Sequence, residues 1–150
     1  MKAIILWGRA NTGKTTTLNL VIQNLLSLGA TVEHDCTGNR VADRCLVLKY
    51  NGHRIAVCTD GDCESIVQRN FNDLKQAGAT YDIFVGASRS RGASCRCLEE
   101  KYTKDQILWY GQSKVSGLCN NIAQLELIRT QENSHLAMSI VQSAKTILAF

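Results

Sequence analysis

The chain has 150 residues, 45% of them apolar and 20% charged, with 17 Lys and Arg against 13 Asp and Glu, seven cysteines and no proline. That is the length of a single domain, residues 1–150, with enough apolar content for an unstapled core and too little charge for a disordered tail. No run of about 18 apolar residues is present to span a bilayer. The opening apolar stretch, Ala3 to Trp7, is too short for a signal peptide, so a cytoplasmic location without membrane contact is expected.

The cysteines at 36, 45, 58, 63, 95, 97 and 119 are odd in number and show no paired framework. They read as free thiols, several of them small core hydrophobes. Cys95-Arg-Cys97 and Cys58-x4-Cys63 lack the ligand-pair spacing of a zinc site, and Cys95 and Cys97 lack the two-residue spacer of thiol oxidoreductases.

In chain order, Lys2–Trp7 is a short apolar run that suits a buried strand. After a glycine-bearing turn, Leu18, Val21, Ile22, Leu25 and Leu26 recur at helical spacing from Lys14 to Leu28, and Gly29 marks the stop. Ala30 to Arg44 lacks periodicity and reads as a long loop. Cys45–Tyr50 and His53–Thr59 are β-prone runs joined by Asn51-Gly52, a strong hairpin signal. Asp62 to Ala77 is helical, with Asp62 as its expected N-cap, and Tyr81–Ala87 is another buried strand. A polar turn, Ser88–Gly92, leads to a helix near Ala93–Tyr102, and Gln106–Tyr110 supplies a fifth strand. The remainder reads as two helices with a break near Asn133-Ser134. Strands alternating with helices predict a three-layer α/β/α domain with a mainly parallel five-stranded sheet. Its one antiparallel edge strand would come from the hairpin.

Gly8-Arg-Ala-Asn-Thr-Gly13-Lys14-Thr15 fits the pattern G-x-x-x-x-G-K-[ST] at every fixed position. Glycines let the backbone wrap a polyphosphate closely, and the helix starting at Lys14 aims its positive dipole end at it. Lys14 supplies a point charge for the outer phosphates, and the Thr15 hydroxyl can ligate Mg2+. On these residues, in a strand–loop–helix context, the sequence resembles the P-loop NTPase superfamily. The resemblance implies that superfamily's fold, with nucleoside triphosphate and Mg2+ as ligands. Gly8, Asn11, Thr12, Gly13, Lys14, Thr15 and Thr16 would form the binding loop.

The superfamily also needs an acid at the end of a nearby strand to hold Mg2+ through water. Ile55-Ala-Val-Cys-Thr-Asp60 offers Asp60, so Thr15 and Asp60 are the expected metal-linked pair. The guanine-binding pattern Asn-Lys-x-Asp is missing where Gly86-Ala-Ser-Arg-Ser-Arg91 stands, which favours ATP over GTP. Arg89 and Arg91, in a turn at the strand tips, can pair with phosphate, and with Lys14 and Asp60 they form the expected catalytic set. Short bacterial proteins described only as ATP-binding are similar, combining the same loop with acid-Gly-Asp and Ala-Ser-Arg-x-Arg-Gly turns.

The leading expectation is a small ATPase or ATP-dependent switch. A kinase acting on a small molecule or nucleotide is the alternative, although Ala30–Arg44 is short for an acceptor-binding insert. In that loop Glu33, Asp35 and Thr37 are candidate switch residues or simply solvated ones. A third reading is a nucleotide-binding interaction module that docks a second copy or a protein partner through the helices of Leu118–Phe150. Nucleic acid is poorly supported by a net charge of +4 and 6% aromatics. The basic excess in 88–104, from Arg89, Arg91, Arg96, Lys101 and Lys104, is expected to gather around a bound polyphosphate.

Overall fold

A computed structural model describes residues 1–149. The strands are β1 (Lys2–Trp7), β2 (Thr31–Asp35), β3 (Cys45–Tyr50), β4 (His53–Cys58), β5 (Ile83–Ser88) and β6 (Ile107–Gly111). The helices are α1 (Lys14–Ser27), α2 (Glu64–Gln76), α3 (Ala93–Lys101) and α4 (Ile122–Leu148). All six strands form one sheet in the order β2-β3-β4-β5-β1-β6.

The sheet is mixed. β4, β5, β1 and β6 pair in parallel, whereas β3 is antiparallel to both β4 and β2. The Asn51-Gly52 turn has φ of 49° and 81°, the positive pair that a two-residue hairpin requires. Two sequence expectations change here. The sheet has six strands instead of five, and the antiparallel hairpin strand is internal because β2 covers its outer side. Thr31–Asp35 escaped notice because an outermost strand needs no apolar alternation: all of it but His34 is exposed, and its charges blunt an open edge.

Alternate residues of the central strands feed two cores. Ile4, Leu6, Ile55, Val57 and Val85 point to the face covered by α1 and α4, where Leu18, Ile22 and Ile140 meet them. Ala3, Ile5, Ala56, Cys58 and Phe84 point to the opposite face, covered by α2 and α3 through Val67, Leu74 and Leu98. The strands are buried on both sides, as parallel crossovers require. The arrangement is thus helices, sheet, helices.

The expected break at Asn133-Ser134 does not occur: α4 is one helix of 27 residues. Ala137, Ile140, Val141 and Ala144 seat it in the core, and that burial outweighs the low helix propensity of two polar residues, about 0.5 kcal/mol each. Its outer face leaves Ile122, Leu127 and Met138 more than 60% exposed. Phe150, read as part of the terminal apolar stripe, lies outside the described residues.

Candidate functional site

β1, β4, β5 and β6 run in one direction, so the segments that follow them gather at one edge of the sheet. In open α/β sheets this edge is where ligands bind. It brings together the 8–13 turn, Thr59–Asp62, the start of the Ser88–Gly92 turn and the loop after Gly111.

The 8–13 turn carries the chain from β1 into α1. Gly13, the residue before the helix, has a φ of 96°, and a Cβ there would lie 3.0 Å from Gln112 Nε2. At Gly8 a Cβ would come within 2.4 Å of the Gln112 carbonyl oxygen. That close approach arises because Gln112 N donates to Trp7 O at 2.9 Å, drawing the ends of β1 and β6 together.

Lys14 is buried, and its Nζ donates to Gly8 O at 3.1 Å and Arg9 O at 2.7 Å. The same ammonium pairs with Asp62 Oδ1 at 3.3 Å, and Arg89 Nε stands 3.4 Å from that oxygen. Asp62 therefore does not cap α2 as expected. Cys63 holds the N-cap position, and the aspartate is turned instead toward the two cations. The pull of Lys14 and Arg89 outweighs a capping bond of about 1 kcal/mol.

The Thr15 hydroxyl lies 3.2 Å from Asp43 Oδ1 and 3.3 Å from Thr59 O. The Thr59 hydroxyl donates to the same Asp43 oxygen at 3.3 Å and accepts from Arg44 N at 2.8 Å. Asp60, directly after it, pairs with Arg69 at 2.5 Å and accepts from Asn70 Nδ2 at 3.3 Å. Its side chain is only 10% exposed. Burial pushes the Asp60 carboxyl above its ordinary pKa, and the nearby Asp43 carboxylate pushes the same way, against Arg69. Gly61 is obligatory here, since a Cβ would fall 1.8 Å from Ala87 O.

Asn11, Thr12, Gly13, Thr15 and Asp60 line a common cleft of about 300 Å³, with Lys14 and Thr16 also in its wall. An adjoining cavity of about 620 Å³ shares Asn11, Thr12, Gly13 and Thr16 and reaches across to α4. On its floor Gln112 accepts from Thr17 Oγ1 at 3.1 Å and donates to Asn133 Oδ1 at 2.7 Å. Arg129 of α4 donates to Val115 O at 2.8 Å and ties the wall together.

The remaining sequence candidates are dispersed. Arg91 does not line the cleft; with Trp7, Arg96 and Trp109 it lines a separate recess of about 530 Å³. Lys101 rests over the Phe71 ring at 4.4 Å. The basic excess of 88–104 is therefore spread over several surfaces, and of these residues Arg89 alone pairs with an acid of the cleft. Glu33 pairs with Arg54, Asp35 accepts from Thr37 N, and Thr37 receives the N–H of Cys45. None of the three reaches the Lys14 turn.

Asp43 is the residue that sequence reading missed in this loop. It lies two positions before a strand in a stretch without periodicity, so only the folded chain sets it beside Thr15. Asn133 carries no signal of its own, because an Asn-Ser pair between two apolar stretches suits a helix break as well as a site residue. Comparison of the chain with protein-family models, with curated proteins and with solved structures gives no match.

Proposed function

We propose that this chain is a P-loop nucleoside triphosphate-binding protein that takes ATP with Mg2+ and hydrolyses it, as a small ATPase or ATP-dependent switch. The observation that carries this reading is the conjunction of a buried lysine at the head of α1 with one carboxylate, Asp43, on the adjacent threonine hydroxyl and a second, Asp60, lining the same cleft. Lys14 closes on Gly8 and Arg9, while the Asp43 carboxylate adds its repulsion to burial in disfavouring the charged form of Asp60. A divalent cation relieves that repulsion, and a polyphosphate replaces the Asp62 carboxylate between Lys14 and Arg89.

In this reading the first-turn N–H groups of α1 and the Lys14 ammonium hold the β- and γ-phosphates. Thr15 and Asp60 hold Mg2+, with Asp43 as a further acceptor on the same side. Arg89, freed from Asp62, steadies charge on the transferred phosphoryl group. The 620 Å³ cavity beside Gly13 has room for the nucleoside.

One observation favours phosphotransfer to a small acceptor as a second reading. The recess of Trp7, Arg91, Arg96 and Trp109 opens next to the start of the loop and combines indole faces with cations. An ATP turnover assay with product analysis decides between them. Release of inorganic phosphate to water supports the ATPase, and label appearing on an added hydroxyl or nucleotide acceptor supports the kinase. Failure to bind ATP with Mg2+ overturns both.

A further inference from the structure

Cys45 and Cys58 face each other across β3 and β4, fully buried, with their sulfurs 3.0 Å apart. The backbone of Cys45 is engaged elsewhere: its N–H goes to Thr37 Oγ1 at 3.2 Å, and its carbonyl accepts from Cys36 N at 2.7 Å. At the next position along the ladder the Thr59 N–H donates the strand hydrogen bond to the Arg44 carbonyl at 2.9 Å. Cys45 and Cys58 are thus a non-hydrogen-bonded antiparallel pair, the kind whose Cα atoms approach to about 4.5 Å, within the range a disulfide can bridge.

We propose that Cys45 and Cys58 form a reversible intramolecular disulfide by exchange with a small-molecule disulfide such as oxidised glutathione. Cys36 is the entry point. It packs on the cluster that contains the pair and lines an open recess of about 690 Å³, with Arg40 and Asp73, on the outer surface. Arg40 is itself nine-tenths buried beside this recess, and its Nη1 has no hydrogen-bond partner. The Cys36 sulfur attacks the small disulfide, forming a mixed disulfide and releasing one equivalent of the small thiol. Cys45 then attacks the Cys36 sulfur of the mixed disulfide, releasing the second equivalent of small thiol and leaving a Cys36–Cys45 bond. Cys58 attacks the Cys45 sulfur, closing the Cys45–Cys58 bond and returning Cys36 as a thiol, while the two protein thiol protons leave on the small thiols. In sum, two protein thiols and one small disulfide become one protein disulfide and two small thiols, with two electrons moving to the reagent.

The position of the pair gives the bond a consequence. Cys45 lies two residues after Asp43, and Cys58 lies two residues before Asp60. Closing the bond fixes the strand ends that carry Asp43, which meets Thr15, and Asp60, which lines the same cleft. This part rests on the cation-binding reading of the cleft, and pre-organisation there is expected to tighten Mg2+-dependent ATP binding about threefold.

The test is peptide mapping of the whole chain after titration with oxidised glutathione, with and without later reduction. A reducible Cys45–Cys58 bond, lost in Cys58→Ser and formed at least about tenfold more slowly in Cys36→Ser, is the expected result. Mixed disulfides confined to the exposed Cys63 and Cys119, with the pair still reduced, overturn the proposal. An unchanged rate in Cys36→Ser overturns the entry route. Circular dichroism checks that each variant is folded, and Cys58→Ala supplies a smaller, apolar replacement should the serine unfold the core. Calorimetry of oxidised and reduced protein reads the coupling: equal Mg·ATP affinities overturn it. No ATP binding in either state counts against the nucleotide reading and leaves the mapped disulfide standing.

Discussion

The Asp62 carboxylate lies 3.3 Å from the Lys14 ammonium, so the lysine of the loop is neutralised from within the protein. Arg89 approaches the same oxygen. In the proposed nucleotide reading, a phosphate entering the cleft displaces an anion that is already held by two cations. Asp62 is about half exposed, which keeps that displacement inexpensive. Asp62→Asn removes the competing charge and is expected to tighten ATP binding by about three- to tenfold. Isothermal calorimetry checks it, and weaker binding would show that Asp62 supports the ligand instead of opposing it.

Lys14→Ala is expected to weaken ATP binding by about 10- to 100-fold, the range for losing a charge-assisted contact in a sheltered site. Lys14→Met keeps the stem that fills the loop and should lose the same affinity while preserving the fold. Unchanged affinity in both variants sinks the nucleotide reading.

The two arginines of the Ser88–Gly92 turn should separate. Arg89→Ala is expected to lower turnover by about tenfold or more with a smaller change in ATP affinity, because its partner Asp62 borders the cleft. Arg91→Ala should leave hydrolysis near the wild-type rate, since Arg91 lines the tryptophan recess. Equal losses in both would return Arg91 to the catalytic set. A selective loss of transfer to an added acceptor in Arg91→Ala would favour the kinase reading.

Asp60 gives a pH signature. Its carboxyl is held above its ordinary pKa by burial and by Asp43, so the folded protein binds that proton more tightly than the unfolded chain. The resulting stability is fully present below the unfolded pKa and is lost as pH rises through the folded one. At neutral pH without Mg2+ the ionised Asp60 therefore costs stability. Asp60→Asn should raise the melting temperature there by about 2–4 °C for each kcal/mol recovered, with the gain shrinking in acid. Asp43→Asn should move the Asp60 titration down. A melting temperature of Asp60→Asn that is lower than wild type across the neutral range would contradict this account.

Gly61→Ala tests why a glycine separates Asp60 from Asp62. The new methyl would stand 1.8 Å from Ala87 O, a backbone atom that can move only with β5. A loss of about 2–3 kcal/mol in denaturant unfolding is expected, the scale of overpacking a rigid site. A cost under about 0.5 kcal/mol, the level of an ordinary surface change, would mean the two strand ends separate freely.

The sequence by itself determined the elements whose signals are local. Asn51-Gly52 demands positive φ at both positions, and the apolar runs of β1 and β5 suit strands covered on both faces. The Gly8–Thr15 pattern places a turn before α1 because glycine at 13 supplies a left-handed backbone. Tertiary structure decided what depends on distant partners. β2 is a strand because β3 offers it an edge, and α4 runs unbroken through Asn133 because its Ala137–Ala144 face is buried. Asp43 reaches Thr15 across 28 positions, and Asp62 turns from its helix to Lys14. Such pairings have no period in the sequence. They follow from strand order, which brings segments distant in the chain to one edge and lets the strongest available charge partner win.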